Sequence, residues 1–237
     1  MQIAPFEAEI ENLYGRLAAS PIRTLVLTSA LAKEGVSCTA QALTHRLLLA
    51  GNSALLVDMN IFSPSLNTLV EEPANATPHA VALAKPSMVT TEDTQLILQG
   101  VSVRNDKALM THLRQPQFLS AQIEQWKESF DYIIIDAPPL FGPESDSVPA
   151  DHIASLCDAC ALVVLSCSTP DREIIKAVDK LKNKGATLLG CVLNDQFNPP
   201  IKDELLREIN RLPRFLQPLQ RILAKLITNS DFLSIEV

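Results

Sequence analysis

No apolar run in the sequence approaches the roughly 20 residues that a membrane-spanning helix needs. Residues 1–11 carry acids, whereas a secretion signal begins with basic residues followed by an apolar core. An excess of basic residues is also missing, since the net charge is −7, and general nucleic-acid binding usually needs a basic face. We therefore predict a cytoplasmic protein without a nucleic-acid partner.

Cysteine and histidine do not form the patterns of a disulfide framework or a metal centre. The five cysteines are an odd number, which indicates reduced thiols in a chain without a secretion signal. Cys157 and Cys160 match C-x-x-C, but no second pair lies at zinc spacing, so we predict that both are buried small side chains. The four histidines have no spacing typical of a metal triad or of a base beside a nucleophile.

The 237 residues suit one large domain, and a hydrophobic content of 47% is enough for a sizeable core. Short β-branched or leucine-rich runs alternate with longer segments of helical spacing, which is typical of βαβ units. The pattern predicts an α/β fold in three layers, with a mainly parallel, doubly wound sheet covered by helices on both faces. The predicted strands are 24–29, 54–58, 95–99, 132–136, 161–166 and 188–193.

Helical spacing predicts four helices between these strands, at 38–50, 118–129, 148–157 and 170–184. Thr169 is expected to cap the last helix, Pro170 to begin its first turn and Gly185 to end it. Residues 71–94 are rich in Pro, Ala and Thr, which predicts a loop between the second and third strands.

A segment that resembles a phosphate-binding loop follows the first predicted strand. Such loops read G-x-x-x-x-G-K-[ST], because backbone N–H groups hold the phosphates, the lysine neutralises their charge and the hydroxyl binds magnesium. In residues 28–39, T-S-A-L-A-K-E-G-V-S-C-T, only Gly35 and Ser37 of this pattern remain, and Val36 occupies the lysine position. The sequence thus predicts the architecture of a nucleotide site without its principal positive charge.

Two aspartates, Asp58 and Asp136, end predicted buried strands, and open α/β sheets place their ligand sites at the carboxyl ends of strands. Each carboxylate is well placed to hold a magnesium ion or its water. The alternative is that each aspartate caps the turn or helix that follows it.

Together these motifs resemble those of the deviant Walker A ATPases of the ParA/MinD class, most closely the bacterial tyrosine kinases (BY-kinases) of capsule and exopolysaccharide export. The resemblance covers about residues 23–195. The family's loop reads roughly T-S-x-x-P-G-E-G-K-S-T, and its two carboxylate motifs resemble L-L-I-D-A-D-L-R-R-P-S-L and Y-D-Y-V-I-I-D-T-P-P. This chain has L-L-V-D-M-N-I-F-S-P-S-L at 55–66, F-D-Y-I-I-I-D-A-P-P at 130–139 and, near the family's G-V-V-L-N segment, G-C-V-L-N-D at 190–195.

The resemblance implies a P-loop NTPase fold and a site for ATP or ADP with Mg²⁺. By position in the motifs, the nucleotide-binding residues are Lys33, Glu34, Gly35, Val36, Ser37, Cys38 and, for the adenine base, Asn194. The implied magnesium set is Ser37, Asp58 and Asp136, of which the two aspartates are catalytic if the protein is active.

The departures from the family predict weak chemistry at this site. A lysine at contact distance from the phosphates contributes several kcal/mol, which Val36 does not supply. Asn60 replaces the family's second aspartate, and Phe62 and Ser63 replace two arginines. We therefore expect weak nucleotide binding with poor or no catalysis, and the sequence leaves open whether ATP, ADP or nothing occupies the site. A second hypothesis is that Lys33 acts as a surrogate for the missing lysine.

The two ends of the chain predict helices outside the P-loop domain, which is expected to span 21–200. Residues 1–20 contain an apolar stripe that either packs on the domain or docks on a partner. Residues 201–237 contain a basic amphipathic segment, in which Arg214, Arg221 and Lys225 lie between apolar residues. This segment either covers a flank of the sheet or lies on the inner face of the plasma membrane.

The two tyrosines, Tyr14 and Tyr132, do not form the C-terminal tyrosine cluster that serves as the autophosphorylation target in this family. We therefore predict a BY-kinase-like pseudo-enzyme that acts as a regulatory or scaffolding subunit of exopolysaccharide or capsule synthesis and export. The implied partner is a membrane polysaccharide co-polymerase or chain-length determinant protein, and a homodimer stays open. The alternatives are an active ATPase of the MinD/ParA type that cycles on the membrane and a pilus-localisation ATPase.

Overall fold

The structure is a computed structural model that describes residues 4, 7–68, 83, 85–91, 94–103, 106–142, 147–195 and 227. The chain divides into two compact units, Met1–Asn194 and Asp195–Val237. Apart from Asp195 and Ile227, the described residues belong to the first unit, so the predicted basic contacts Arg214, Arg221 and Lys225 lie outside them. Among the described residues, no helix combines the length and the apolar character that crossing a bilayer requires.

The first unit is built on one eight-stranded sheet with the order β3-β4-β5-β2-β6-β1-β7-β8. The strands β1 to β8 are Thr24–Ser29, Ala54–Asp58, Leu66–Thr68, Ser87–Thr91, Thr94–Ser102, Tyr132–Asp136, Ala159–Leu165 and Leu188–Asn194. In the order of the sheet, every pairing from β5 through β2, β6, β1 and β7 to β8 is parallel. The pairings of β3 with β4 and of β4 with β5 are antiparallel. The predicted α/β class with a mainly parallel sheet is therefore confirmed.

Six helices are described in the first unit. The helices α1 to α6 are Ala8–Ala18, Val36–Leu49, Lys107–Leu113, Pro116–Lys127, Ala150–Ser155 and Asp171–Asn183. One hydrophobic core lies between the sheet and α1 and α2, and a second lies between the opposite face and α3 to α6. Side chains alternate between the two cores along the central strands: Leu25 and Leu27 of β1 belong to the first core and Val26 to the second. This arrangement confirms the doubly wound, three-layer prediction.

Three elements, β3, β4 and α3, are absent from the prediction. Residues 87–91 form strand β4, although they lie in the segment predicted as a loop. The strand was missed because it lies near the margin of the sheet and buries only one face. Val89 is fully buried whereas Met88 is 47% exposed, so no continuous apolar run marks the strand in the sequence. The seven-residue helix α3 is too short to show a clear period; it begins after Asp106, whose carboxylate accepts a hydrogen bond from Leu109 N at 2.9 Å.

Helix α1 packs on the sheet through Ile10, Leu13 and Leu17, all of which are buried in the first core. Its polar side forms an ion pair with α2, in which the Glu11 carboxylate and the Arg46 guanidinium are 2.6 Å apart. The same guanidinium lies 4.0 Å from the centre of the Tyr14 ring. The apolar stripe of the N-terminal helix is therefore in contact with the body of the first unit.

Candidate functional site

The candidate site lies at the carboxyl ends of β1, β2 and β6, where three predicted motifs converge. Strand register sets Leu27 beside Asp136 and Asp58 beside Asp136 on neighbouring parallel strands. The loop that follows β1 leads directly into α2. The sheet topology therefore brings together the phosphate loop and both aspartates, which lie more than 20 positions apart in the sequence.

The phosphate loop keeps the backbone shape that an anion site requires. Gly35 has a φ of +95° and immediately precedes α2, which begins at Val36. Lys33 also has a positive φ, +68°, at the position where the family motif has glycine. The first turn of α2 contains no acidic residue, so its backbone N–H groups and the positive end of the helix dipole are available to an anion.

The Glu34 side chain is buried and stabilises the phosphate loop by accepting hydrogen bonds. Its side chain is buried at 3% exposure, and it accepts a hydrogen bond from Leu31 N at 3.1 Å. The other carboxylate oxygen accepts a hydrogen bond from the Thr169 hydroxyl. The predicted helix cap at Thr169 is therefore wrong: Pro170 is the N-cap residue of α6, and it forms no side-chain capping hydrogen bond.

Asn194 lies directly above the backbone of the phosphate loop. Its side-chain nitrogen donates to Glu34 O at 3.0 Å, and the residue is 8% exposed. Pairing with Leu165 of β7 places Asn194 at the carboxyl end of β8, which is separated from β6 by β1 and β7. The residue predicted to contact the adenine base thus lies at the loop, where its side chain holds the backbone of the loop.

The three residues that open α2 differ in their surroundings. Val36 is partly buried and packs against the first hydrophobic core, so its side chain is part of the helix-to-sheet packing. Ser37 and Cys38 are also partly buried, and the Ser37 hydroxyl lies near Asp136. Lys33 is exposed.

Asp136 is the chemically unusual residue of the site. It is 1% exposed, and within the described part of the chain no donor lies at ordinary hydrogen-bond geometry to either of its carboxylate oxygens, although the Ser37 hydroxyl is nearby. Burial raises the pKa of Asp136 to about 8, the neighbouring Asp58 carboxylate acts in the same direction, and the Ser37 hydroxyl opposes them. A buried carboxylate without a donor needs a proton or a cation. Asp136 therefore fits a divalent cation.

Asp58 has partners of its own. Its Oδ1 accepts from Asn60 N at 2.9 Å, and its Oδ2 accepts from Ser65 N at 2.6 Å and from Ser65 Oγ at 3.2 Å. Burial raises the pKa of Asp58, while these hydrogen bonds from Ser65 and Asn60 oppose the shift. Asp58 thus holds the turn that follows β2, as the alternative reading of this aspartate expects, and also faces Asp136.

The segment after β6 is bonded to the start of the phosphate loop. Thr28 Oγ1 donates to Pro138 O at 2.8 Å. Leu140 N donates to Ser29 O at 2.8 Å, and Phe141 N donates to Ala30 O at 3.0 Å. Residues 138–141 and the first residues of the loop therefore form one hydrogen-bonded unit.

Thr169 is a residue of the site that was predicted only as a helix cap. A signal was present, because Thr169 follows β7, which neighbours β1 on the side away from β6. The carboxyl ends of neighbouring parallel strands meet at one edge, so a polar residue shortly after β7 is expected near the phosphate loop. Among the described residues, no group of three His, Cys, Asp or Glu side chains is arranged to hold a metal ion without other ligands.

The chain is similar to known proteins in sequence and in fold. No family model matches the chain. A tyrosine-protein kinase CpsD of Streptococcus agalactiae is 30% identical over 179 residues, which are 73% of this chain and 75% of the relative. The crystal structure of the chimerical protein CapA2B2 has the same fold, with a TM-score of 0.59 and 21% identity over 79% of this chain and 83% of the other.

A third similarity extends to a protein solved with a nucleotide. Cobyrinic acid a,c-diamide synthase from Mycobacterium smegmatis, with bound ADP and magnesium, has a TM-score of 0.53 and 18% identity over 81% of this chain and 82% of the other. These structures share the fold, and the CpsD sequence establishes the kinship. The chain belongs to the family of the CpsD tyrosine-protein kinases, which are bacterial tyrosine kinases.

Proposed function

We propose that this member of the family is a pseudo-enzyme, which keeps the frame of the nucleotide site but has weak or no ATP hydrolysis and kinase activity. The observation that carries the proposal is Val36, a partly buried apolar side chain that packs against the core at the position of the phosphate-binding lysine. Transfer of a phosphoryl group depends on positive charge at the transferring phosphate. Binding depends less on this charge, because backbone N–H groups contribute to it as well.

The carboxylate side of the site supports residual metal binding. Asp136 accepts no hydrogen bond from the residues that the structure describes, so a magnesium ion would satisfy its buried charge. Ser37, Asp58 and Asp136 would hold the ion, and the ion would neutralise negative charge on a bound ATP or ADP. The fit is therefore good for the cation and poor for the phosphates, since Val36 provides no charge for them.

The biological role that follows is regulation or scaffolding in the synthesis and export of capsule or other exopolysaccharide. A protein that binds nucleotide without hydrolysing it still offers a surface to a partner, but it cannot drive a cycle by ATP hydrolysis. The partner in this proposal is a membrane polysaccharide co-polymerase or chain-length determinant protein, which would hold the chain at the inner face of the membrane.

Calorimetric titration with ATP and magnesium tests the proposal. The native chain is expected to bind weakly or not at all, and Val36→Lys is expected to gain affinity. Val36→Met is the matched control, because it adds length at the same position without charge. Tight binding and turnover by the native chain would refute the proposal, as would an equal gain in Val36→Met.

Substitutions of Asp136 and Asp58 differ in how many other contacts they disturb. Asp136→Asn removes a carboxylate that supports no described turn or loop by hydrogen bonds, whereas Asp58→Ala also breaks the turn at Ser65. Asp136→Asn is therefore the cleaner variant, and it should abolish any magnesium-dependent part of the binding.

A second candidate function is an active membrane-cycling ATPase in which Lys33 replaces the missing lysine. The observation in its favour is that Lys33 is exposed and held at a φ of +68° within the loop, so its side chain is free of the core. This hypothesis requires magnesium-dependent hydrolysis by the native chain that is lost in Lys33→Ala. Hydrolysis that persists in Lys33→Ala would eliminate it.

A further inference from the structure

The peptide bond between Glu34 and Gly35 lies in the phosphate loop, directly before α2. The residues on either side of Glu34 both have a positive φ, +68° at Lys33 and +95° at Gly35. Turns of this kind direct successive backbone N–H groups toward one side, where they bind anions. The orientation of the 34–35 peptide plane therefore decides whether the loop offers an N–H group or a carbonyl oxygen to a phosphate.

The 34–35 peptide could in principle flip, because it precedes a glycine. A flip exchanges the directions of the Glu34 carbonyl and the Gly35 N–H, and it reverses the sign of φ at Gly35, which glycine tolerates. In a planar trans peptide these two groups point in opposite directions. A contact that holds the Glu34 carbonyl therefore also sets the direction of the Gly35 N–H.

Asn194 provides such a contact. Its side-chain nitrogen donates to Glu34 O at 3.0 Å in a buried position. The backbone of Asn194 is itself fixed in the sheet, because its carbonyl accepts a hydrogen bond from Ser166 N at 2.7 Å. A flip would turn the Gly35 N–H toward the side-chain nitrogen of Asn194, so that two donors would face each other. Losing a buried hydrogen bond in this way costs more than an exposed one returns.

The side chain of Glu34 restrains the same residue from another direction. One carboxylate oxygen accepts from Leu31 N at 3.1 Å, and the other accepts from the Thr169 hydroxyl. Glu34 is therefore held by its carbonyl and by both carboxylate oxygens, and these bonds join the phosphate loop to the ends of β7 and β8. Rotation of the whole residue is resisted as well as a flip of its peptide.

We propose that Asn194 is a positioning residue of the nucleotide site, which locks the 34–35 peptide so that the Gly35 N–H is directed at the phosphates. The inference rests on the proposed function, since it requires phosphates to bind at this loop. It assigns Asn194 a role toward the phosphates rather than toward the base. Because Val36 supplies no charge, oriented backbone N–H groups carry a larger share of phosphate binding in this chain.

Nuclear magnetic resonance tests the direction of the Gly35 N–H. A glutamate precedes a glycine only once in the chain, at 34–35. Labelling with carbonyl-¹³C glutamate and ¹⁵N glycine therefore gives one carbonyl-linked amide signal, that of Gly35. In a titration with ADP and magnesium, this amide proton is expected to move downfield as it donates to a phosphate oxygen. No response of the signal in either the native chain or Val36→Lys would overturn the proposal.

Two substitutions of Asn194 test the lock in the Val36→Lys background, where binding is expected to be tighter. Asn194→Ala removes the donor and should raise the Kd for ADP about three- to tenfold. Asn194→Asp should raise it further, because its carboxylate repels the Glu34 carbonyl and attracts the Gly35 N–H, which favours the flipped peptide. The same labelled amide signal should then be displaced even without ADP.

Asn52 provides the matched controls. Its side-chain nitrogen also donates to a backbone carbonyl, Leu47 O at 3.2 Å, but the residue precedes β2 and so lies toward the opposite edge of the sheet. Asn52→Ala and Asn52→Asp should bind ADP as the Val36→Lys parent does. Equal Kd values for the parent, Asn194→Ala and Asn194→Asp would overturn the role of Asn194. ATP hydrolysis by the native chain would instead overturn the proposed function and leave this role intact.

Discussion

Gly35 and Asn194 occupy the same small space above the phosphate loop. A β carbon on Gly35 would lie 2.3 Å from the side-chain nitrogen of Asn194, a separation that β carbons do not adopt. That nitrogen donates to the carbonyl of Glu34, the residue before the glycine. The loop therefore needs a glycine at this position for two separate reasons, its positive φ and the proximity of the asparagine.

We predict that Gly35→Ala lowers stability by about 2 kcal/mol or more, because backbone strain adds to a steric clash. Gly51→Ala is the matched control: Gly51 has a φ of +83°, but nothing lies within 4 Å of its β-carbon position. Urea unfolding of both variants separates the strain from the clash. In an Asn194→Ala background, Gly35→Ala should cost no more than Gly51→Ala does. Equal costs for the two alanines in the native background would contradict the role of Asn194.

We predict that Asp136→Asn raises stability, and raises it more at alkaline than at acidic pH. The folded state holds a proton on Asp136 up to a pKa of about 8, above its ordinary value of 3.8. Between these values the folded state binds more protons than the unfolded state, so stability falls as the pH rises. Below the lower value both states are protonated and the cost disappears.

Urea unfolding at about pH 5 and about pH 8.5 measures this slope. The native chain should lose more stability between the two conditions than Asp136→Asn does. Asp179→Asn removes an equal charge from the exposed surface of α6 and serves as the control. Some slope should remain in Asp136→Asn, because burial also raises the pKa of Asp58.

We predict the opposite sign for Asp58. Asp58→Ala removes the acceptor of three hydrogen bonds from Asn60 and Ser65, and leaves partly buried backbone donors unpaired, so it should cost about 1–3 kcal/mol. Asp58→Asn keeps one acceptor oxygen and should cost less. Thermal unfolding of both variants at neutral pH gives the comparison. A gain in stability from Asp58→Ala would show that this aspartate, like Asp136, is chiefly an uncompensated charge.

We predict that Thr169→Val destabilises the chain by about 1–2 kcal/mol, because the buried Glu34 carboxylate loses a donor. Thr169→Ser keeps the hydroxyl and should lie close to the native chain. If Thr169 acted as a helix cap instead, a Glu34→Gln background would leave the cost of Thr169→Val unchanged. A coupling between the two substitutions in chemical denaturation identifies the contact with Glu34.

The carboxyl edge of the sheet could be predicted from the sequence because its strands are buried on both faces. β1, β2 and β6 appear as continuous apolar runs, and the bounds of all three agree with the prediction. β2 ends in Asp58 and β6 ends in Asp136, so the placement of these two aspartates followed from the strand ends alone. The β4 strand has no such run, since only one of its faces meets the core.

The contacts that fasten the phosphate loop could not be predicted in the same way. Thr169 and Glu34 are 135 positions apart, and a threonine before a proline at a helix start resembles a cap. Only the strand order, with β7 beside β1, places the two side chains together. The difference between Asp58 and Asp136 also depends on tertiary contacts, because the turn that supplies donors to Asp58 has no counterpart at Asp136.

The hydrogen bonds of Leu140 and Phe141 to the start of the phosphate loop have a thermodynamic consequence. The nitrogen of Leu140 donates to Ser29 O and that of Phe141 to Ala30 O. A contact that displaces residues 138–141 therefore also displaces the backbone of the phosphate loop. By linkage, whatever factor a partner bound at this segment imposes on the affinity for nucleotide, nucleotide imposes on the affinity for that partner.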